Sequence, residues 1–193
     1  MSRPGDKFYK RARSQGYRSR AAYKLLEMQN KFEFIREEMD ILEVGSAPGG
    51  WTDVIMEMNP ALLVCVDLAG KNSMEQPVQV KGDILREETW EKIAAVTDKK
   101  GFDLILSDAM AHTTGQHHRD HALSMEICSS IMNHVPAFLK PGGTLVMKQF
   151  QGDMTDSFVQ QNSRKFKYVY RTKPHASRDS SSEMYIIFSR FHL

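Results

Sequence analysis

Cysteine is almost missing from this 193-residue chain, which has only Cys65 and Cys128. Both lie in apolar stretches, as small buried residues do, which argues against a disulfide framework and against an exposed nucleophile. No apolar run approaches the roughly 18 residues of a membrane span. The opening Met1-Ser2-Arg3-Pro4-Gly5 has no hydrophobic stretch of the secretory kind. Repeats and low-complexity tracts are absent too. What is left is one intracellular domain without a membrane segment, and with 41% hydrophobic and 26% charged residues it can bury a single core.

Acids are scarce only at the ends. Residues 1–24 hold eight Lys/Arg and one acid, residues 164–193 hold seven and two, and the stretch between holds eleven and twenty-one. Basic ends of net +7 and +5 on a body of −10 predict that the termini meet a polyanion, because each phosphate neutralised by Lys or Arg releases counterions. Tyr9, Tyr17, Tyr168 and Tyr170 interleave with these charges and can stack on bases, which favours a nucleic acid over the plain alternative of a solvated basic tail. The spacing predicts an irregular basic arm over residues 1–18, carrying Lys7, Lys10, Arg11 and Arg13, followed by one domain over 19–193.

The stretch that organises the domain is I-L-E-V-G-S-A-P-G-G-W at 41–51, an apolar strand running into a turn of small residues and then a helix. Gly45, Ser46, Ala47, Pro48, Gly49 and Gly50 leave the backbone bare enough for a ligand to lie against it. G-x-A-x-x-G also fits a degenerate dinucleotide fingerprint, with Asp67 near the place of a ribose-binding acid. On that turn alone a nicotinamide oxidoreductase and a structural Gly/Pro turn both stay open. Glu43 and the stiffening Pro48 tilt the turn toward a cationic ligand and away from a diphosphate.

Further strands are predicted over 61–67, 78–83, 102–108, 144–150, 167–172 and 184–189. Helices are predicted from Ser19 as N-cap, after Trp51, over 87–96, over 121–139 with Pro141-Gly142-Gly143 ending it, and over 154–162. The last two strands form an antiparallel edge pair. The alternation gives an α/β fold with a mainly parallel sheet, helices on both faces and ligands beyond the strand carboxyl ends. Asp67, Asp83, Asp108 and Lys148 all fall there. Singly each passes for a strand-end cap, but together they surround one small-residue turn. Asp67 suits a ribose diol and Asp83 an adenine amino group, so the ligand is an adenosine derivative, and acids around a sulfonium favour S-adenosylmethionine.

E-V-G-S-A-P-G-G-W, Ser107-Asp108, V-M-K-Q-F-Q-G around Lys148 and S-R-A-A-Y-K ending at Lys24 resemble the FtsJ/RrmJ family of ribose 2′-O-methyltransferases over nearly the whole chain. The resemblance implies a Rossmann-like class I S-adenosylmethionine-dependent methyltransferase fold with a seven-stranded sheet and an antiparallel C-terminal strand. It implies a catalytic tetrad at Lys24, Asp108, Lys148 and Glu183, and a cofactor held by Gly49, Trp51, Asp67, Asp83 and Asp108 together with the rest of the turn. Size and the basic start are most similar to members that methylate a uridine in large-subunit ribosomal RNA, free or within the particle. RNA contacts would then run through the arm and the Lys/Arg near the C-terminus. Another RNA such as tRNA, or a non-catalytic assembly factor, is the alternative.

Chemically, a ribose hydroxyl is a poor nucleophile, so Lys148 must take its proton or steady its charge, with Asp108 orienting Lys148 and Lys24 and Glu183 setting the acceptor and the local field. Transfer to a base amino group fits poorly, because Asp108-Ala109-Met110-Ala111 is not the Asn/Asp-Pro-Pro-aromatic motif. Transfer to a pyrimidine carbon lacks a site-facing cysteine. The usual Met-Ala-Pro after the aspartate is also missing, which alters the loop that follows. His112, His117, His118 and His121 there read as a polar loop facing RNA in preference to a zinc site. An Arg-rich start also describes a transit peptide, but Lys24 is already needed in the site, so the expected location is the cytoplasm of a prokaryote.

Overall fold

The computed structural model describes residues 7–70, 72–73, 75–97, 101–111, 113–177 and 181–192. Seven strands form one sheet in the order β3-β2-β1-β4-β5-β7-β6. β1 (Asp40–Val44), β2 (Leu62–Asp67), β3 (Val78–Lys81), β4 (Phe102–Ser107) and β5 (Leu139–Phe150) run parallel, and β7 (Glu183–Phe191) lies antiparallel between β5 and β6 (Phe166–Thr172). The expected antiparallel pair is present, with β6 alone at the edge. β7 is internal, its residues apolar on both sides, as a strand buried on both faces requires.

The helices divide between the faces. α4 (Glu87–Val96), α5 (His117–Phe138) and α6 (Thr155–Ser163) cover one face, where Trp90, Ile93, Ile131, Phe158, Phe188 and their neighbours form the larger core. α2 (Ala22–Phe32) and α3 (Gly50–Glu57) cover the other, where Leu25, Met28, Trp51, Ile55, Val146, Tyr185 and Ile187 form the smaller one. A fully buried aromatic such as Phe188 contributes about 3–5 kcal/mol against alanine.

Three expectations need correcting. The arm is not irregular, since residues Lys7–Ser14 form helix α1, pinned by Ala12 against Tyr23 and Ala176 and by the Arg11 guanidinium 4.9 Å above the Tyr23 ring. The first long helix starts at Ala22 and takes no side-chain cap from Ser19. Ser19 instead crosses the small-residue turn. α5 begins four residues before the expected start: Asp120 accepts hydrogen bonds from the Thr114 and Gly115 N–H groups (2.7 and 3.1 Å) and from the Thr114 hydroxyl (2.8 Å). That carboxylate in the first turn starts a helix where no apolar period announces one. α5 ends at Phe138, and Pro141-Gly142-Gly143 bulges within β5, where the register against β4 slips.

Candidate active site

The turn after β1 sits where the strand order reverses, beside β4, the switch point at which such sheets bind ligands. Its glycines meet protein first. A Cβ on Gly49 would lie 2.2 Å from the Arg18 guanidinium carbon, one on Gly50 2.1 Å from Ser19 Oγ, and one on Gly45 2.4 Å from Ala109 Cα. Gly45 and Gly49 also have φ of +79° and +108°, which side chains rarely adopt. These glycines therefore admit the 17–20 strap and the loop after β4, a use that the bare turn does not announce. The strap is locked by Asp53 of α3, which accepts from the Arg18 backbone N–H (2.8 Å) and from its Nε (2.7 Å). What stays open is the rim, with Ala47 and Pro48 exposed and Ser46 half-buried.

Asp67 ends β2 at that rim. One of its oxygens accepts from the Ala47 N–H (2.9 Å) and the other from the Ala69 N–H (2.8 Å). Each carboxylate oxygen keeps a second lone pair for a ligand hydroxyl. Asp83, two residues past β3, accepts from the Leu85 N–H (3.0 Å) and is half-buried. Trp51 is placed differently: its indole is buried and donates to the Ala21 carbonyl (2.9 Å), tying the start of α2 to α3. Only its backbone is left for the turn. Glu43 does not face the rim either. It is 1% exposed beneath α3, accepting from Thr52 Oγ1 (2.6 Å) and Cys65 Sγ (3.3 Å), and burial pushes its carboxyl up to about 7.

On the β4–β5 side the other predicted residues come together. The Asp108 backbone N–H donates to the Val44 carbonyl (3.1 Å), carrying the end of β4 beside β1. Lys148 Nζ donates to the Asp108 carbonyl (2.6 Å) and lies 3.1 Å from its Oδ1. The register of β5 on β7 puts Lys148 opposite Tyr185, whose hydroxyl donates to the same Oδ1 (2.7 Å). Two residues along β7 on the same face, Glu183 meets Lys24 of α2 at 2.5 Å. Burial alone would raise the Asp108 carboxyl, but Lys148, then Lys24 and the Tyr185 hydroxyl outweigh it and hold it below its usual range. The Tyr185 hydroxyl moves the opposite way, raised by burial and by the carboxylates Asp108 and Glu183.

Tyr185 is the residue that the sequence reading missed. It is fully buried among the four predicted groups, 5.7 Å from the Trp51 ring and 5.9 Å from Lys24 Nζ. The available signal was its place two residues after Glu183 on the same strand, which puts both side chains on one face. Both thiols are pushed upward by burial, Cys128 to about 12, which leaves neither as a ready nucleophile. His121 is buried, with Nδ1 on the Phe150 carbonyl (2.7 Å) and Nε2 accepting from the Met154 N–H (3.3 Å), while His117 is exposed. His112 lies outside the described residues. No helix among the described residues is long and apolar enough to cross a membrane.

A mainly parallel sheet with acids at successive strand ends, a strapped small-residue turn and a buried Lys–Asp pair defines a Rossmann-like methyltransferase. Residues 17–191 match the profile of the FtsJ-like methyltransferases, and the chain belongs to that family. It is 42% identical to the ribosomal RNA large subunit methyltransferase E of Picrophilus torridus, over 95% of this chain and 96% of that one. With the Thermoplasma acidophilum protein of the same name it shares 41% identity, over 96% and 92%. A solved structure described as a ribosomal RNA methyltransferase of Plasmodium falciparum superposes with a TM-score of 0.81 at 30% identity, covering 91% of this chain and 98% of that one.

Proposed function

We propose that this methyltransferase takes its methyl group from S-adenosylmethionine and places it on a ribose 2′-hydroxyl, a uridine's by the sequence resemblance, in large-subunit ribosomal RNA. The observation that carries the reading is the double hold of Asp108 on Lys148 Nζ, through its carbonyl and its carboxylate. The ammonium that holds Asp108 ionised must shed one proton before it can act as a base, and the amine it then becomes has two N–H groups and one lone pair. With both N–H groups directed to Asp108, the lone pair points to the remaining position, where an acceptor hydroxyl can deliver its proton.

The residues present fit the cofactor. With the strap filling the inner side of the turn, the open rim of Ser46–Pro48 is bordered by Asp67, which suits a ribose diol, and Asp83 follows the neighbouring strand β3 at the same edge of the sheet, where it suits an adenine amino group. The ionised Asp108 suits the neighbourhood of a sulfonium. When bound, S-adenosylmethionine supplies a methyl group that is open to in-line attack. The chain's part is positioning and proton handling: Lys148 receives the hydroxyl proton as the new C–O bond forms, Asp108 aims Lys148, and the Lys24–Glu183 pair fixes the acceptor sugar. Tyr185 fixes the carboxylate by its short hydrogen bond.

The ribosomal substrate is supported by the names of the close relatives and by the basic ends of the chain. The cytoplasm is the corresponding location. The test is transfer of radiolabelled methyl to large-subunit RNA and to undermethylated particles, followed by nucleoside analysis. A 2′-O-methylnucleoside that disappears with Lys148→Ala is the expected product. Label on a base would overturn the reading, and label on tRNA alone would move the substrate.

A further inference from the structure

β6 is an edge strand, and on the α2–α3 face of the sheet no helix among the described residues covers its end. Two tyrosines occupy that uncovered face. Tyr168 and Tyr170 are 40% and 43% exposed, with ring centroids 6.3 Å apart and planes within 26°. Their spacing is that of successive same-face positions on a strand, about 6.6 Å. Phe32, at the end of α2, leans on Tyr170 at 5.5 Å and forms a wall. Lys167 and Arg190 lie over the Tyr168 ring at 5.3 and 5.6 Å, and Lys31 joins the lining of the groove that the rings border. The groove measures about 420 Å³ and no carboxylate lines it among the described residues. It continues around the end of α2 into a more polar hollow of about 600 Å³ that includes Arg36, Glu33 and Asp103.

Packing does not account for the pair. The left-handed backbone at Arg190 (φ 60°) does have a structural use, since it turns Phe191 into the larger core against Phe166. Nothing comparable buries Tyr168 or Tyr170. An edge strand is ordinarily protected by charge, and β6 carries Lys167 and Arg171 for that purpose, but on the α2–α3 face it also presents two aromatic rings.

The strand register ties this surface to the active site. Lys148, Tyr185 and Thr172 form one row across β5, β7 and β6, while Val146, Ile187 and Tyr170 form the next and Thr144, Ser189 and Tyr168 the one after. Directly opposed residues share a face, so the tyrosines look out from the side of the sheet that carries Lys148. From the spacing of strands and rows, Tyr170 is about 12 Å from Lys148, a distance spanned by three or four stacked nucleotides at about 3.4 Å each.

We propose that Tyr168 and Tyr170 form a stacking platform for two unpaired bases of the RNA that flanks the methylated nucleotide, with Lys31, Lys167 and Arg190 meeting the phosphates between them. The proposal deepens the reading of the chain as an RNA methyltransferase and rests on it. Aromatic rings at successive strand positions take bases without regard to sequence, and the cations supply the salt-dependent part of the affinity. The platform would thus hold a single-stranded flank while the shape of the folded RNA selects the site.

The test uses the full chain and a fluorescent oligouridylate of about twelve nucleotides, with an abasic oligomer of equal length as control. The Tyr168→Ala/Tyr170→Ala pair is expected to weaken oligouridylate binding about tenfold or more, to leave abasic binding and the salt slope unchanged, and to be rescued by Tyr168→Phe/Tyr170→Phe. Arg190→Ala should instead lower the salt slope by about one. Equal loss on both oligomers, or no loss on either, overturns the platform. A loss confined to assembled particles also overturns it, in favour of a protein contact. A variant-free check is crosslinking of 5-bromouridine oligomers to the unmodified protein, which must map to Tyr168 or Tyr170. Methyl transfer by the unmodified protein is scored separately: its absence defeats the enzymatic reading, whereas intact transfer with unaltered oligomer binding by the variants defeats the platform alone.

Discussion

The two faces of the sheet are built to different rules. Under α4, α5 and α6 the core is larger, and its buried polar residues, Thr89, His121, Ser124, Gln149 and Thr155, include no carboxylate and no lysine, with His121 spent on backbone groups of the 150–154 loop. Under α2 and α3 the core is smaller and broken by Glu43, Lys148, Tyr185 and the Lys24–Glu183 pair, and beyond α2 it stops, leaving Tyr168 and Tyr170 uncovered. One face secures the fold so that the other can tolerate ionised groups that cost folding energy. Buried ion pairs roughly break even against apolar packing, so their concentration on one face reflects chemistry and not stability.

That contrast can be broken by exchanging the expected losses. The largest effect is on rate: Lys148→Ala should lower methyl transfer about 10²–10⁴-fold while cofactor affinity, measured by calorimetry, changes little. Lys148→Arg should fail to rescue it, because a guanidinium keeps the charge without an accepting lone pair. On the opposite face Phe188→Ala should cost about 3–5 kcal/mol in denaturant unfolding, yet leave turnover per folded molecule near normal at low temperature. A large loss of turnover there would mean that the faces are not separable.

A third measurement concerns pH. The Glu43 carboxyl rises from 4.5 to about 7 on folding, so between those values the folded protein holds the extra proton. Stability from this group is therefore present in full below about 4.5 and falls as pH rises toward 7, by about 3 kcal/mol in all. Glu43→Gln should flatten that fall in urea titrations run from pH 5 to 8. An unchanged slope would remove Glu43 as its source. The smallest effect is Tyr185→Phe, which removes one hydrogen bond to Asp108 and should reduce kcat about 10- to 150-fold, the rate equivalent of the roughly 1.5–3 kcal/mol of a bond to a charged group, with KM for the cofactor nearly constant.

Much of this was legible in the chain. The apolar run into Gly45, the aspartates ending three strands and the lysine inside β5 announced the parallel sheet and its working edge, because strand period and turn chemistry are local properties. Arg18 and Ser19 against Gly49 and Gly50 were not legible, since a glycine shows that something comes close without saying whether it is ligand or protein. Tyr185 was missed for a related reason: the register of β7 on β5 decides which alternate residues face Lys148, and register is long-range information. Glu43 was misread as facing a cation because its neighbours Thr52 and Cys65 come from two other elements. The helix at Lys7–Ser14 has too short an apolar face to declare itself without Tyr23 and Ala176.

Lys24 and Glu183 stand at opposite ends of the chain and meet at 2.5 Å. During synthesis the Gly-rich turn, Asp67, Asp83, Asp108 and Lys148 are all made before the strand that completes the centre. A product released before Glu183 and Tyr185 lacks the partner of Lys24 and the hydroxyl that fixes Asp108, and without β7 it also loses the strand that joins β6 to the sheet. The candidate centre is therefore closed by a segment made after every other residue in it, so a fragment interrupted before Glu183 holds Lys148 and Asp108 without the groups that partner Lys24 and Asp108.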